Sequence, residues 1–231
     1  MAGVAGGWSA TEAIGFGWNA LTKNFVGVSL PIAVAVIASV LPGQAITGLY
    51  AAMATIVADW VEPSFIAILS YLVQGVSALV GMFVGSYMAG GIASFTLKVA
   101  RGQPVSFGEV FSGGRYFGRM LVATIGLYVA VLIGLVLCVI PGYIVGLGLS
   151  MYTFVVVDQG LPGIDALKKS WEMTQGHKLN IFVYFLLALL VSIAGFLACG
   201  IGVLLGSYPV LAVGFAYIYM KIKGEQPQLA G

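Results

Sequence analysis

The chain has 231 residues, 60% of them apolar and 8% charged, with a net charge of +2. Soluble globular domains carry about 25% Asp, Glu, Lys and Arg, and the 10 basic and 8 acidic side chains here cannot solvate a surface of this size. Composition therefore excludes a soluble enzyme, a disordered tail, a disulfide-stapled secreted module and a nucleic-acid binder. Four stretches contain no charge at all: residues 24–58, 63–97, 120–157 and 179–220. A membrane span needs about 20 apolar residues, so a bilayer is the solvent that suits these runs.

Residues 1–23 lack the basic start of a cleaved signal peptide, because Glu12 precedes the first basic residue, Lys23. The first span is therefore expected to be retained. Over residues 8–23, Ser9-x-x-Glu12 has the form of a capping box. Ile14, Trp18, Leu21 and Phe25 recur on one helical face, which predicts an amphipathic helix on the membrane surface. Span one then runs over about 25–41 and is closed by Leu41-Pro42-Gly43, since proline and glycine suit a chain reversal. An insertion over 42–64 follows. Its Ile46, Leu49, Tyr50, Met53, Ile56, Val57 and Trp60 suggest a helix on the outer surface, with a short extra span over 44–58 as the alternative. Span two, over 65–96, completes a first hairpin.

The second unit, 106–157, repeats the pattern. Ser106-x-x-Glu109 predicts another capping box ahead of Val110, Phe111, Tyr116 and Phe117, and spans over 120–140 and 143–157 flank Ile140-Pro141-Gly142. The third unit, 163–220, places Ile164, Leu167, Trp171 and Thr174 on one helical face, with Asp165 and Lys169 as a supporting pair. Spans over 180–198 and 201–220 flank Gly200-Ile201-Gly202, and 221–231 form a tail. The expected fold class is all-α: one membrane domain of six transmembrane helices in three hairpins, each preceded by an interfacial amphipathic helix.

This layout puts every basic residue on one side: Lys23; Lys98, Arg101, Arg115 and Arg119; Lys168, Lys169 and Lys178; Lys221 and Lys223. The positive-inside rule makes that side cytoplasmic, with both termini inside. A multi-pass protein of a bacterial cytoplasmic (inner) membrane is the resulting expectation.

The spans hold no Asp, Glu, Lys, Arg or His, the residues that ion-coupled carriers use to bind or relay their ion. Gln74, Ser77, Tyr87, Tyr128, Tyr184 and Ser192 are the polar interior candidates, and such residues ordinarily bond between helices. His177 is the single histidine, so no two-histidine metal site exists; no metal or cofactor is expected. Ser77, Gly81, Gly85 and Ala89 recur every four residues, either to pack within the bundle or to form a seam between copies. Gly90-Gly91 and Gly146-x-Gly148 could serve as hinges or simply as packing sites. Cys138 and Cys199 close matching spans, where they are either a disulfide or two small apolar residues. Arg115, Arg119, Lys168, Lys169 and Lys178 are candidate contacts for anionic lipid headgroups, or simply topology determinants. Trp8, Trp18, Trp60 and Trp171 fall at span boundaries, where such rings anchor helices.

The inner loops carry Arg101-Gly102-x-Pro104-x-Ser106-Phe107, Pro141-Gly142, Val157-Asp158-x-Gly160, then Asp165-Ala166-Leu167-Lys168-Lys169-Ser170-Trp171 and Thr174-x-Gly176. From Arg101 onward the chain resembles bacterial membrane-domain families grouped near the membrane domain of glycerophosphoryl diester phosphodiesterase. In that family hydrolysis belongs to a separate soluble barrel, which this chain does not have. The phosphodiesterase activity therefore does not carry over, and the resemblance implies a polytopic inner-membrane domain of unassigned role. The leading expectation is a non-enzymatic scaffold or assembly component whose partners are membrane lipids and either a second copy or another membrane protein. The alternative is a carrier or binder of a lipid or small neutral solute. A third reading, a lipid-modifying enzyme, would need Glu109, Asp158 or Asp165 to converge with a basic residue.

Overall fold

The computed structural model describes residues 7–197 and 200–229. Among them no strand forms, and six segments are long and apolar enough to cross a membrane: Phe25–Val57, Pro63–Ala100, Phe107–Leu137, Val139–Gln159, Lys178–Leu197 and Val203–Lys223. The protein is an all-α bundle. Its order is α1 (Ala10–Lys23), α2 (Phe25–Val57), α3 (Pro63–Ala100), a 3-10 helix (Phe107–Tyr116), α4 (Phe117–Leu137), α5 (Val139–Leu149), α6 (Tyr152–Gln159), α7 (Gly163–Thr174), α8 (Lys178–Leu197), a π turn (Val203–Ser207) and α9 (Tyr208–Lys223). Three hairpins result, preceded in turn by α1, the 3-10 helix and α7.

The capping box of α1 forms: the Glu12 amide donates to Ser9 Oγ and the Ser9 amide to Glu12 Oε2, each at 3.1 Å. The face that α1 buries differs from the expected one. Ala10, Ala13, Gly17, Ala20 and Leu21 point inward, while Trp18 is exposed. The cause is backbone contact with α9. A methyl on Gly17 would fall on the Val210 carbonyl, and one on Gly214 would lie 2.7 Å from the Ala13 oxygen. Small residues face inward because they let two backbones meet. The second capping box is absent. Ser106 makes no side-chain cap, and Glu109 turns to an ion pair with Lys98. The 3-10 helix docks on α3 through reciprocal glycines, because a methyl on Gly91 would meet the Val110 carbonyl and one on Gly113 the Tyr87 carbonyl. Gly90-Gly91 is thus a packing site, not a hinge.

The first hairpin overturns the expected turn at Leu41-Pro42-Gly43. α2 runs unbroken through Pro31 and Pro42, and residues 44–57, expected as a surface helix or a short extra span, simply continue it. Within hydrocarbon a helix is the cheapest way to keep backbone groups bonded, so one lost N–H is tolerated where an open turn is not. At 33 and 38 residues, α2 and α3 measure ~50 and ~57 Å, against a hydrocarbon core of ~30 Å. No residue from 36 to 76 is buried. The distal part of this hairpin therefore leaves the bundle as a bare arm, held together by contacts such as Tyr50 Oη to the Ile66 carbonyl at 2.5 Å.

In the second hairpin the turn lies at Cys138, not at Pro141-Gly142. Cys138 is extended (φ −176°, ψ 155°), and α5 restarts at Val139. Pro141 sits in the first turn of α5, where a missing N–H costs nothing. Gly134 and Gly142 then bring α4 and α5 together, since a methyl on Gly134 would lie 2.7 Å from the Gly142 Cα. The expected span over 143–157 is broken between α5 and α6. At the break α7 supplies the partners: Ser170 Oγ (3.1 Å) and Thr174 Oγ1 (2.9 Å) donate to the Gly148 carbonyl, and the Met151 amide donates to Ser170 Oγ at 3.1 Å. The Trp171 ring covers Gly148 so closely that a side chain there would clash with it, which makes Gly148 a packing site, whereas a methyl on Gly146 would meet nothing closer than Val131 at 3.9 Å.

Candidate functional site: an ion network and an intramembrane groove

Four charged residues that lie far apart along the chain, Arg101, Asp158, Lys223 and Glu225, are gathered in one network. Arg101, just past α3, is its centre. Its Nη2 donates to Asp158 Oδ1 at 2.6 Å, and its Nε and Nη2 reach Glu225 Oε2 at 3.0 and 2.9 Å. Lys223 Nζ donates to Asp158 Oδ2 at 2.6 Å and pairs with Glu225 Oε1 at 2.7 Å. Tyr219 Oη adds a hydrogen bond to Asp158 Oδ2 at 2.9 Å, and Gln159 Nε2 donates to Tyr219 Oη at 3.1 Å. The Asp158 side chain is 7% exposed. Both of its oxygens are occupied, as a buried carboxylate requires. The Gln228 amide donates to the Ala100 carbonyl at 2.8 Å, so the tail from Gly224 onward is tied to the corner after α3.

Burial alone would raise the Glu225 carboxyl, but hydrogen bonds from Lys223 and Arg101 outweigh it and hold that group below the usual carboxylate range. Burial alone would lower Arg101, yet its bonds to Asp158 and Glu225 leave the guanidinium above its usual value. Every charge in the network is matched, which marks it as a structural lock for the α3, α6 and α9 ends. The single signal for it in the sequence is that Asp158 closes a 38-residue uncharged run and needs a cation nearby.

Glu109 and Asp165 do not join Asp158. Glu109 is bridged to Lys98, and Asp165 lies 3.8 Å from Lys168 on the exposed face of α7. Lys169 pairs with Glu172 at 3.3 Å, also in the open. Lys178 stands over the Trp171 ring at 3.3 Å, and His177 packs beside Trp8 with ring centroids 6.0 Å apart. Trp60, at the tip of the hairpin arm, is 86% exposed. Arg115 is exposed and lies over Tyr116 at 5.2 Å, and Arg119 is exposed beside Gly160. Neither arginine has a carboxylate partner among the described residues. Cys138 is exposed at its turn, whereas Cys199 lies outside the described residues, and with it the expected disulfide.

The four-residue stripe on α3 splits between two faces, because a step of four drifts ~40° around a 3.6-residue helix. Ser77 is buried against α2, with its carbonyl 3.3 Å from where a methyl on Gly43 would stand. Gly81 and Gly85 have nothing within 4 Å of a would-be Cβ. Together with Ala89 they line a groove of about 670 Å³ between α3 and α4, whose wall carries Ser86, Thr124, Tyr128 and Tyr152.

Three mycobacterial proteins align with nearly the whole chain. Uncharacterized protein Rv2560 of Mycobacterium tuberculosis H37Rv is 30% identical over 235 residues, covering 95% of this chain and 70% of the relative. Uncharacterized protein Mb2590 of Mycobacterium bovis and uncharacterized protein MT2637 of Mycobacterium tuberculosis CDC 1551 match at the same identity and coverage. The chain belongs to the family of these proteins. No family model and no solved structure matches it. The relatives are named as uncharacterized, so kinship and the six apolar helices agree on an integral membrane protein and leave its role to the geometry.

Proposed function

We propose that this protein is a non-enzymatic assembly component of a bacterial inner membrane. The observation that carries this reading is the bare arm formed by residues 39–76, past the last α2 residues that pack on the core. Beyond Val36 and Ala38, which still pack on the core, its α2 limb over residues 39–57 is ~28 Å long, close to the thickness of the hydrocarbon layer. Ile56, Trp60 and Ile68 are all more than 60% exposed along it. An arm of this kind offers two helix faces to other membrane-embedded helices, either of a second copy or of another protein. The uncharged spans support a non-catalytic role, as does the separation of Glu109, Asp158 and Asp165 into different ion pairs. The one-sided distribution of basic residues supports cytoplasmic termini. Arg115 and Arg119 are the cations best placed to receive anionic headgroups. The loop motifs that resemble the phosphodiesterase-associated membrane domains support the same inner-membrane setting.

A photo-crosslinking amino acid placed at Ile56 or Ile68 tests this in intact membranes. Leu132 on α4, 63% exposed, is the control. Discrete protein adducts from the arm positions, stronger than any from Leu132, are expected. If both arm positions give only the background seen at Leu132, the assembly role fails. A second reading, the binding of a lipid, is favoured by the α3–α4 groove.

A further inference from the structure

The groove between α3 and α4 contains more hydroxyl donors than it can satisfy. Ser86 and Thr124 are 2% and 8% exposed. Ser86 Oγ donates to Thr124 Oγ1 at 3.3 Å, and Thr124 Oγ1 and Tyr152 Oη share one hydrogen bond at 3.1 Å. Three hydroxyl hydrogens thus make two bonds. If Thr124 donates to Tyr152, the Tyr152 O–H is left over. With the reverse polarity Thr124 accepts twice, and its own O–H is left over. Either way one donor remains on the groove wall.

A helical Ser or Thr normally disposes of its hydrogen on a carbonyl one turn back. Thr22, Thr47, Thr96 and Ser192 do so here, to the carbonyls of Trp18, Gly43, Ile92 and Ala188. Ser86 and Thr124 do not; they turn toward each other and the groove. In hydrocarbon no water is at hand to take the remaining hydrogen.

Beside these hydroxyls the groove is floored by Gly81 and Gly85, where bare backbone leaves room for a chain to lie. Its volume of about 670 Å³ is that of a ligand site. Leu79 and Tyr128, 56% and 60% exposed, border its open side, so the occupant enters from the bilayer. Complementarity asks for an apolar chain with one acceptor oxygen near its end and no charge. We propose that the groove holds one acyl chain of a diacyl membrane lipid, whose ester carbonyl accepts the surplus O–H of the Ser86–Thr124–Tyr152 string. This rests on the lipid-binding reading and does not depend on the assembly role.

The test is native mass spectrometry of the full chain in detergent, with added dioleoyl phosphatidylglycerol or its diether analogue, which lacks the carbonyls. Wild type should retain the ester lipid about fivefold better than the ether, the worth of one hydrogen bond. Single hydroxyl deletions shift the surplus donor to a neighbour, so the informative variant removes all three: S86A/T124V/Y152F. It should bind both lipids equally while melting at the wild-type temperature. Gly85→Leu, which fills the groove, should lower retention of both lipids alike.

An ester-to-ether ratio of one in wild type, with Gly85→Leu still lowering both, would remove the carbonyl contact and leave lipid binding standing. Unchanged retention in Gly85→Leu would remove the groove itself as the site. An isoprenoid quinone as the stoichiometric co-purified species would overturn the acyl-lipid assignment.

Discussion

Replacing Asp158 with asparagine is expected to destabilise the bundle by about 2–4 kcal/mol, because it removes the charge facing two cations. Asp158 is the most buried charged member of the network, and it alone contacts Arg101, Lys223 and Tyr219 together. Asparagine keeps the volume but places an amide where one of those donors now binds. The thermal midpoint of the detergent-solubilised protein should fall by about 5–10 °C. Asp165→Asn is the matched control. Its carboxylate is 56% exposed at 3.8 Å from Lys168, so the change should stay within about 0.5 kcal/mol. Equal effects of the two variants would mean that the network does not hold the helix ends together.

The same network sets a pH dependence. Glu225 is held below the ordinary carboxylate value of 4.5 by Lys223 and Arg101. A depressed carboxyl contributes stability that is complete above its unfolded value and disappears as pH falls through the folded one. The melting temperature should therefore drop on acidification below pH 4.5, and Glu225→Gln should flatten that part of the profile. A wild-type profile matched by Glu225→Gln across this range would count against the assignment.

Gly91→Ala is the second large effect, expected to cost at least about 2 kcal/mol. The new methyl would land on the Val110 carbonyl, and backbone cannot swing aside as a side chain can. Gly113→Ala should behave alike, because its methyl would meet the Tyr87 carbonyl from the other side of the same contact. Both should release the 3-10 helix from α3, so that limited trypsin digestion after Arg115 becomes faster. Gly75→Ala on the same α3 helix has open space around its Cβ and should be neutral or stabilising by up to ~1 kcal/mol. Protection of Arg115 in Gly91→Ala at the wild-type level would show that the two backbones are not in contact.

Much of the architecture was legible because it follows from solvent. Uncharged runs of 35 to 42 residues must be covered by lipid, and in lipid the backbone must bond to itself, so helices follow. The Ser9 cap was readable because it is local: donor and acceptor are three residues apart. Turns were not readable in the same way. Proline reads as a stop in water, yet Pro42 sits inside α2, because hydrocarbon penalises an open turn more than one missing bond. Pro141 starts α5 instead of ending α4, because a first-turn N–H has no helical partner to lose.

The sequence by itself determined the solvent, the number of spanning segments and their pairing into hairpins. Only the tertiary structure decided which charges meet. Arg101 meets Asp158 and Glu225, and Lys223 meets Asp158, across 57 to 124 residues of sequence. It also decided which small residues pack and which stand open. Gly17 and Gly91 lie against a neighbouring backbone while Gly81 and Gly85 face a groove, although all four are glycines in the same kind of apolar context. That difference depends on where a second helix passes, which no single helix's spacing encodes.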